Sequence, residues 1–254
     1  MAAAGEKGIA VLTPAESKRL IAAAVASLPE VQRALRRGRI IVAGGTTNAY
    51  VAEALTGEAV HKFWYTAGRI AHGKLGSNEG ARRIPPVVLV RGKRVNRAPA
   101  EVLEAFTRDD VFIKGANAVD PSGMAGVLMG DARGGTIGAA LGILKARGSH
   151  LVVPVGLEKL VPSVAAASGV CGQGVFRYAI GDPVGFMPLV GAKVVTEIEA
   201  LRFLFGLEAV LVASGGVAGS EGAVVLAMEG PEAALRRAFR FLEEKVKGEP
   251  PVRP

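Results

Sequence analysis

Cysteine is nearly absent from this chain: Cys171 is the only one in 254 residues. An intrachain disulfide is therefore excluded, which fits a cytoplasmic setting. Histidine is scarce as well, and neither His61 nor His72 stands at a recognised metal spacing from a Cys or Glu. No metal and no cofactor is expected. Aromatic residues make up 5 % of the chain. That is too few for a base-stacking platform, and with no nucleic-acid motif present no specific nucleic-acid partner is expected. No uninterrupted apolar run reaches the ~18 residues of a membrane span. Met1–Gly8 lacks a basic segment followed by an apolar core, so no signal peptide is read there.

Apolar residues, at 50 %, are sufficient for a large core, and 34 glycines gather at apparent strand-to-helix turns. The formal net charge is +8. Its functional meaning is an anionic partner such as a phosphate ester, coenzyme A or nucleic acid; its bland meaning is an Arg-rich solvated surface. High Arg with little Cys, Met or Gln is also the composition of a thermophile or a high-GC source.

The segment Asp110–Pro162 organises the rest. Val111, Phe112 and Ile113 make a short apolar run suited to a strand buried on both faces. It stops at Lys114-Gly115, with Asn117 and Asp120 close behind. Gly134-Gly135-Thr136 then opens an Ala-rich helix ending at a Gly148 cap, and Leu151–Val155 reads as the next strand. Such a unit is parallel and right-handed. Ligands bind beyond the carboxyl ends of parallel strands, so Lys114, Asn117, Asp120 and the Gly134 turn are expected to gather at one edge. A second signal is the strand Arg39–Ala43, followed by Gly44-Gly45-Thr46-Thr47-Asn48 and a helix. The glycines allow close approach, and the free N–H groups at the helix start favour an anion. The turn has neither dinucleotide nor P-loop spacing, and an ordinary strand-helix turn is the alternative.

Elsewhere, Thr13-Pro14-Ala15-Glu16 is a helix start with a capping box. Glu58–Arg83 is polar and Gly-rich, either a lid or a surface excursion. Pro183–Pro188 reads as a linker. After it, strand, helix, two strands and helix suggest a small ferredoxin-like sheet with helices on one side. The expected organisation is a core at 1–188, an α+β unit at 189–248 and a frayed tail at 249–254. Apolar strands in the last unit are compatible with a homodimer.

The order of these motifs resembles the phosphosugar-isomerase and coenzyme A-transferase superfamily. Its members include ribose-5-phosphate isomerases, regulatory subunits of a translation initiation factor, methylthioribose-phosphate isomerases and lactate-utilisation proteins. The likeness covers Arg39–Pro162: G-G-T-T-N, K-G-A-N-A-V-D-P-S-G, G-G-T and V-V-P-V-G-L-E-K. It implies an α/β fold with an open, mostly parallel sheet flanked by helices. Gly44, Gly45, Thr46 and Thr47 match a phosphate-holding turn. Gly115, Ala116, Val119 and Asp120 match a loop carrying catalytic carboxylates, and Gly134, Gly135 and Thr136 match the next turn. Asn117 stands where the isomerases often carry an acid, and the Lys-Gly-Gly-Gly-Gly run of ribose-5-phosphate isomerase is missing.

The expected ligand is thus a small anionic metabolite, phosphorylated or coenzyme A-linked. It is held by Gly44, Gly45, Thr46, Thr47, Asn48, Gly115, Asn117, Gly134, Gly135, Thr136 and Lys159. An isomerase-like enzyme would use Asp120 as base, Lys114 as positive charge and Glu158 as a further acid or charge partner. Asp120-Pro121-Ser122-Gly123 also fits a plain tight turn. The alternative function is a non-catalytic metabolite-binding or regulatory protein on the same fold.

Overall fold

A computed structural model describes residues 5–78 and 80–254. Strand β1 (Glu6–Leu12) leads into helices α1 (Pro14–Ser27) and α2 (Pro29–Arg37). Strand β2 (Arg39–Val42) turns into α3 (Thr46–Thr56). Two hairpins come next, β3 (Gly68–Ala71) with β4 (Lys74–Ser77), then β5 (Val87–Val90) with β6 (Lys93–Arg94). A short helix, α4 (Pro99–Leu103), precedes β7 (Val111–Ile113), β8 (Ala118–Val119) and β9 (Ala125–Met129). After these stand α5 (Gly135–Arg147), β10 (His150–Pro154), α6 (Val164–Val170), β11 (Gly185–Pro188), β12 (Lys193–Val195) and α7 (Glu197–Phe205). The last elements are β13 (Glu208–Gly215), β14 (Ala223–Gly230), α8 (Glu232–Phe241) and a π-helical turn, Leu242–Val246.

The main sheet has six strands in the order β12-β10-β7-β2-β5-β6. The first four are parallel, and β5 and β6 run antiparallel at one edge. All three residues of β7 are buried, as its central position and helices on both faces require. The expected parallel pairing of β7 with β10 is present, Val111 to Ile113 against His150 to Val152. Between them the chain makes an extra layer: β8 and β9 pair antiparallel, and β9 also pairs with β11. The stretch expected as a linker, Pro183–Pro188, is therefore largely a strand. A Cβ at Gly126 of β9 would overlap the Phe186 ring where it now sits, so the glycine makes room for that ring.

The self-contained ferredoxin-like unit expected at 189–248 does not form a sheet of its own. Strand β12 joins the main sheet beside β10. Strands β13 and β14 instead make an antiparallel sheet with the N-terminal β1, in the order β1-β14-β13. The start of the tail is tied down rather than frayed: Glu249 accepts two hydrogen bonds from Arg19 (2.8 and 3.0 Å), and Arg19 also donates to Glu53 (3.0 Å).

Local rules account for the helix starts. Thr13 and Glu16 complete the capping box of α1, and Thr196 and Glu199 complete one for α7. At the opposite edge of the sheet the fully buried Asp110 fixes two strand starts. It accepts from the backbone and side chain of Arg39 (2.6 and 3.2 Å) and from the backbone and hydroxyl of Thr107 (2.7 and 3.1 Å). Asp110→Ala would leave these donors unmatched. The expected loss is about 3 kcal/mol, read as a lower urea midpoint at unchanged denaturant slope.

Candidate functional site

Because β2, β7, β10 and β12 are parallel neighbours, their carboxyl ends lie side by side, ~4.8 Å apart. The segment leaving each strand therefore meets the segment leaving its neighbour. The ladder continues briefly past the strands, with Ala43 N–H on Ile113 O (2.9 Å), Lys114 N–H on Val152 O (3.0 Å) and Val155 N–H on Val195 O (3.0 Å). After β2 come Gly44-Gly45 and α3. After β7 comes Lys114-Gly115. After β10 comes Gly156 and a 3-10 turn, Leu157–Lys159, and after β12 come Thr196 and Glu197.

Asn48, fully buried, clamps the first two ends by donating to Ala43 O (2.7 Å) and Ile113 O (3.2 Å). Its Oδ1 and the hydroxyl of buried Thr47 have no partner. No side chain caps α3, so the N–H groups of its first turn stay available to an anion. Gly44 is required sterically, since a Cβ there would sit 2.9 Å from Tyr65 O. Tyr65 is buried and bridges two strands, its hydroxyl donating to Val42 O (2.6 Å) and accepting from Val87 N–H (2.9 Å). The Glu58–Arg83 segment is thus anchored at the site edge.

Two lysines stand at the neighbouring ends. Lys114 Nζ donates to Gly115 O and Lys159 Nζ to Ala116 O, each at 3.0 Å. Both side chains keep some accessible surface yet are surrounded by protein. Burial and the nearby Lys159 ammonium bring Lys114 down to about 8. Burial brings Lys159 to about 8 against the opposing pull of the Glu158 carboxylate. Glu158 is paired with Lys18 of α1 at 2.6 Å, both side chains almost out of solvent. Burial works to raise the Glu158 carboxyl, but Lys18 and Lys159 outweigh it and hold it below the usual range.

Glu197 completes the group. It is fully buried, and both its oxygens accept from Leu157 N–H (2.9 and 3.2 Å). Burial, with the neighbouring Glu158 carboxylate, pushes it up to about 7. Glu158 Oε2 has no hydrogen-bond partner. A Cβ on Gly156 would overlap that oxygen and lie 3.2 Å from Glu197 Oε1, so the glycine leaves room for two carboxyl groups to converge.

The sequence-expected residues divide into two sets. Gly44 to Asn48, Lys114, Gly115, Glu158 and Lys159 come together. Asp120 serves a turn instead: its Oδ1 accepts from Ser122 N–H and Oγ and from Met124 N–H, and its Oδ2 accepts from Val164 N–H (2.9 Å). Those bonds, the Ser122 hydroxyl first, lower its pKa, which makes it a poor base. Asn117 Oδ1 accepts from Leu128 N–H (3.1 Å) and pins β8 to β9. Gly134, Gly135 and Thr136 open α5, next to Met129 of the separate three-stranded sheet. No hydrogen bond or ion pair among the described residues links that turn, or Asp120, to the lysines. Lys18 and Glu197 were not expected. Among the described residues, no group of His, Cys, Asp and Glu could hold a metal ion, and no helix is long and apolar enough to cross a membrane.

No protein-family model, curated protein or solved structure matches this chain. The site therefore rests on its own geometry.

That geometry has a pH signature. Glu197 in the folded chain titrates near 7, above its ordinary 4.5. Between those values the folded state holds more protons than the unfolded one, so stability falls as pH rises through the window. Glu197→Gln removes the slope. The expected gain over the parent is about 3 kcal/mol above pH 7 and none below pH 4.5, measured as urea midpoints on either side of the window.

Proposed function

We propose that the mouth formed by β2, β7, β10 and β12 binds a small anionic metabolite, phosphorylated or coenzyme A-linked. The observation that carries this reading is the recessed pair Lys114 and Lys159. Each rests on a backbone carbonyl, and neither has an ion pair among the described residues. Two like charges set together in a low-dielectric recess oppose folding. An anion between them and the first turn of α3 relieves that cost, returns both ammonium groups to full charge and meets the helix dipole. Perturbed ionisable groups gathered where parallel strands end are candidates for a functional site. The turn order G-G-T-T-N, K-G-A-N and V-G-L-E-K supports placing the chain with the phosphosugar-isomerase and coenzyme A-transferase superfamily. The scarcity of cysteine supports a cytoplasmic setting.

A catalytic version of this reading is isomerase-like proton transfer next to a carbonyl. Its carboxyl would come from the Glu158–Glu197 pair rather than from Asp120, because Glu197 titrates near neutrality. The non-catalytic version, a metabolite-binding or regulatory protein, is favoured by the structural employment of Asn117 and Asp120.

Thermal-shift titration with inorganic phosphate, ribose 5-phosphate and acetyl-coenzyme A separates ligand classes. A bound ligand at a hundred times its dissociation constant adds about 2.7 kcal/mol. Lys114→Met and Lys159→Met should each abolish the shift while stabilising the free protein. No shift with any of the three, or a shift that survives the double replacement, refutes the site. Solvent deuterium entering a bound sugar phosphate, lost in Glu197→Gln with binding retained, identifies the catalytic version.

A further inference from the structure

Three stretches of the chain meet around Gly38, at the amino ends of β2 and β7 and so at the edge of the main sheet opposite the proposed mouth. A Cβ on Gly38 would stand 2.9 Å from Asp109 O and 3.1 Å from Ala34 Cα, so the loop before β7 lies directly on the last turn of α2. The β5–β6 turn, Arg91-Gly92, is seated there too. Arg91 N–H donates to Gly38 O at 2.8 Å, and a Cβ on Gly92 would lie 3.0 Å from Leu35 O. Each stretch brings cations. Arg33, Arg36 and Arg37 follow the i, i+3, i+4 spacing that lines one face of a helix. Arg91 and Lys93 flank Gly92, and Arg108 precedes Asp109. All are exposed except Arg33, which is half-buried. Among the described residues these six have a single ion pair, Arg37 to Asp109 at a loose 3.8 Å.

Two features separate this cluster from an ordinary solvated face. The helix dipole accounts for basic residues in the last turn of α2, but not for Arg91, Lys93 and Arg108, which arrive from other segments. Arg91 also stands at φ 49°, first in a two-residue hairpin loop whose second residue, Gly92, is at φ 74°. Such loops favour Asn, Asp or Gly first, so a long cationic side chain is held there at a backbone cost. We propose that this face binds the phosphate backbone of duplex nucleic acid without reading its sequence. Its charge is complementary to a row of phosphates. Five of the six cations are arginines, whose planar guanidinium meets a phosphate with two parallel hydrogen bonds. None of the large exposed apolar residues among those described lies on these three stretches, so the face lacks the apolar anchors of a bilayer-binding surface. It carries no aromatic ring on which an unpaired base could stack, which favours the duplex over a single strand.

The test is fluorescence anisotropy with two fluorescein-labelled duplexes of unrelated sequence. Both should bind alike. With about four phosphates contacted, affinity should fall roughly a hundredfold from about 50 to about 200 mM salt. Arg36→Ala and Arg91→Gly should each flatten the slope of log affinity against log salt by about 1. Arg91→Gly should melt no lower than the parent, since glycine takes that backbone freely. Arg36→Glu with Lys93→Glu should abolish binding with far-UV circular dichroism unchanged; Arg108→Glu replaces Lys93→Glu if that variant misfolds. Arg237→Glu with Arg240→Glu, exposed on α8, changes the net charge equally and should leave the slope as it was. Lys114→Met, at the other edge of the sheet, should also leave duplex binding unchanged, so this face and the proposed mouth stand or fall separately. No binding at the lower salt, equal weakening by the α8 pair, or tighter capture by phosphatidylglycerol vesicles than by either duplex overturns the proposal. A strong preference for one duplex overturns recognition through the backbone alone.

Discussion

The ion pair between Lys18 and Glu158 is the contact on which the carboxyl edge of the sheet depends. It joins the first turns of α1 to the turn after β10, at 2.6 Å and almost out of water. A pair so placed is weak evidence of stability, because desolvation consumes most of the attraction. It is strong evidence of position. With either partner removed, the other is a stranded charge, so α1 cannot slide along the sheet. Glu158 in turn opposes the downward shift of Lys159 and adds to the upward shift of Glu197. The pair therefore sets the electrostatics of the whole mouth.

The parallel arrangement brings one economy and one cost. Four strands ending together bring residues from four distant segments into one cluster without any long loop. The same arrangement leaves many groups to satisfy at once. Asn48 takes the loose carbonyls of β2 and β7, and Tyr65 stitches β2 to β5. Of the seven buried side-chain polar atoms without a partner among the described residues, Asn48 Oδ1, the Thr47 hydroxyl and Glu158 Oε2 lie where a ligand is proposed, and the other four belong to Ser17, Arg33, Arg69 and Asn78. Unsatisfied buried polar atoms are costly and seldom accidental, and stability is commonly given up where function requires it.

Much of this was legible in the sequence, for identifiable reasons. Val111–Ile113 between polar residues can only be a central strand, and a Gly-rich turn after a strand marks the ligand edge. Thr13-Pro14-Ala15-Glu16 announces its helix through local chemistry alone. The misreadings have one origin, which is that pairing over long distances leaves no local trace. Strand β12 looks like the start of a new unit because a linker-like segment precedes it, and only its partner β10 places it in the main sheet. Once it is there, Glu197 falls at a strand's carboxyl end, where the same rule that found Lys114 applies. Lys18 sits in a helix whose first turn is buried nearly all round, so no amphipathic pattern singles it out. Asp120 carried both a catalytic and a turn reading; its carboxylate accepts three hydrogen bonds from the turn residues Ser122 and Met124 and one from Val164.

The pairing of β1 with β14 joins opposite ends of the chain. During synthesis at about 5–20 residues per second, the first strand emerges roughly 10–40 s before the strand that completes it. Over that interval Ile9 and Val11 travel on a bare β edge, the kind of element that recruits wrong neighbours. Because β14 is the last strand of the chain to be made, this sheet is the last of the four to close, and β1 waits unpaired until it does.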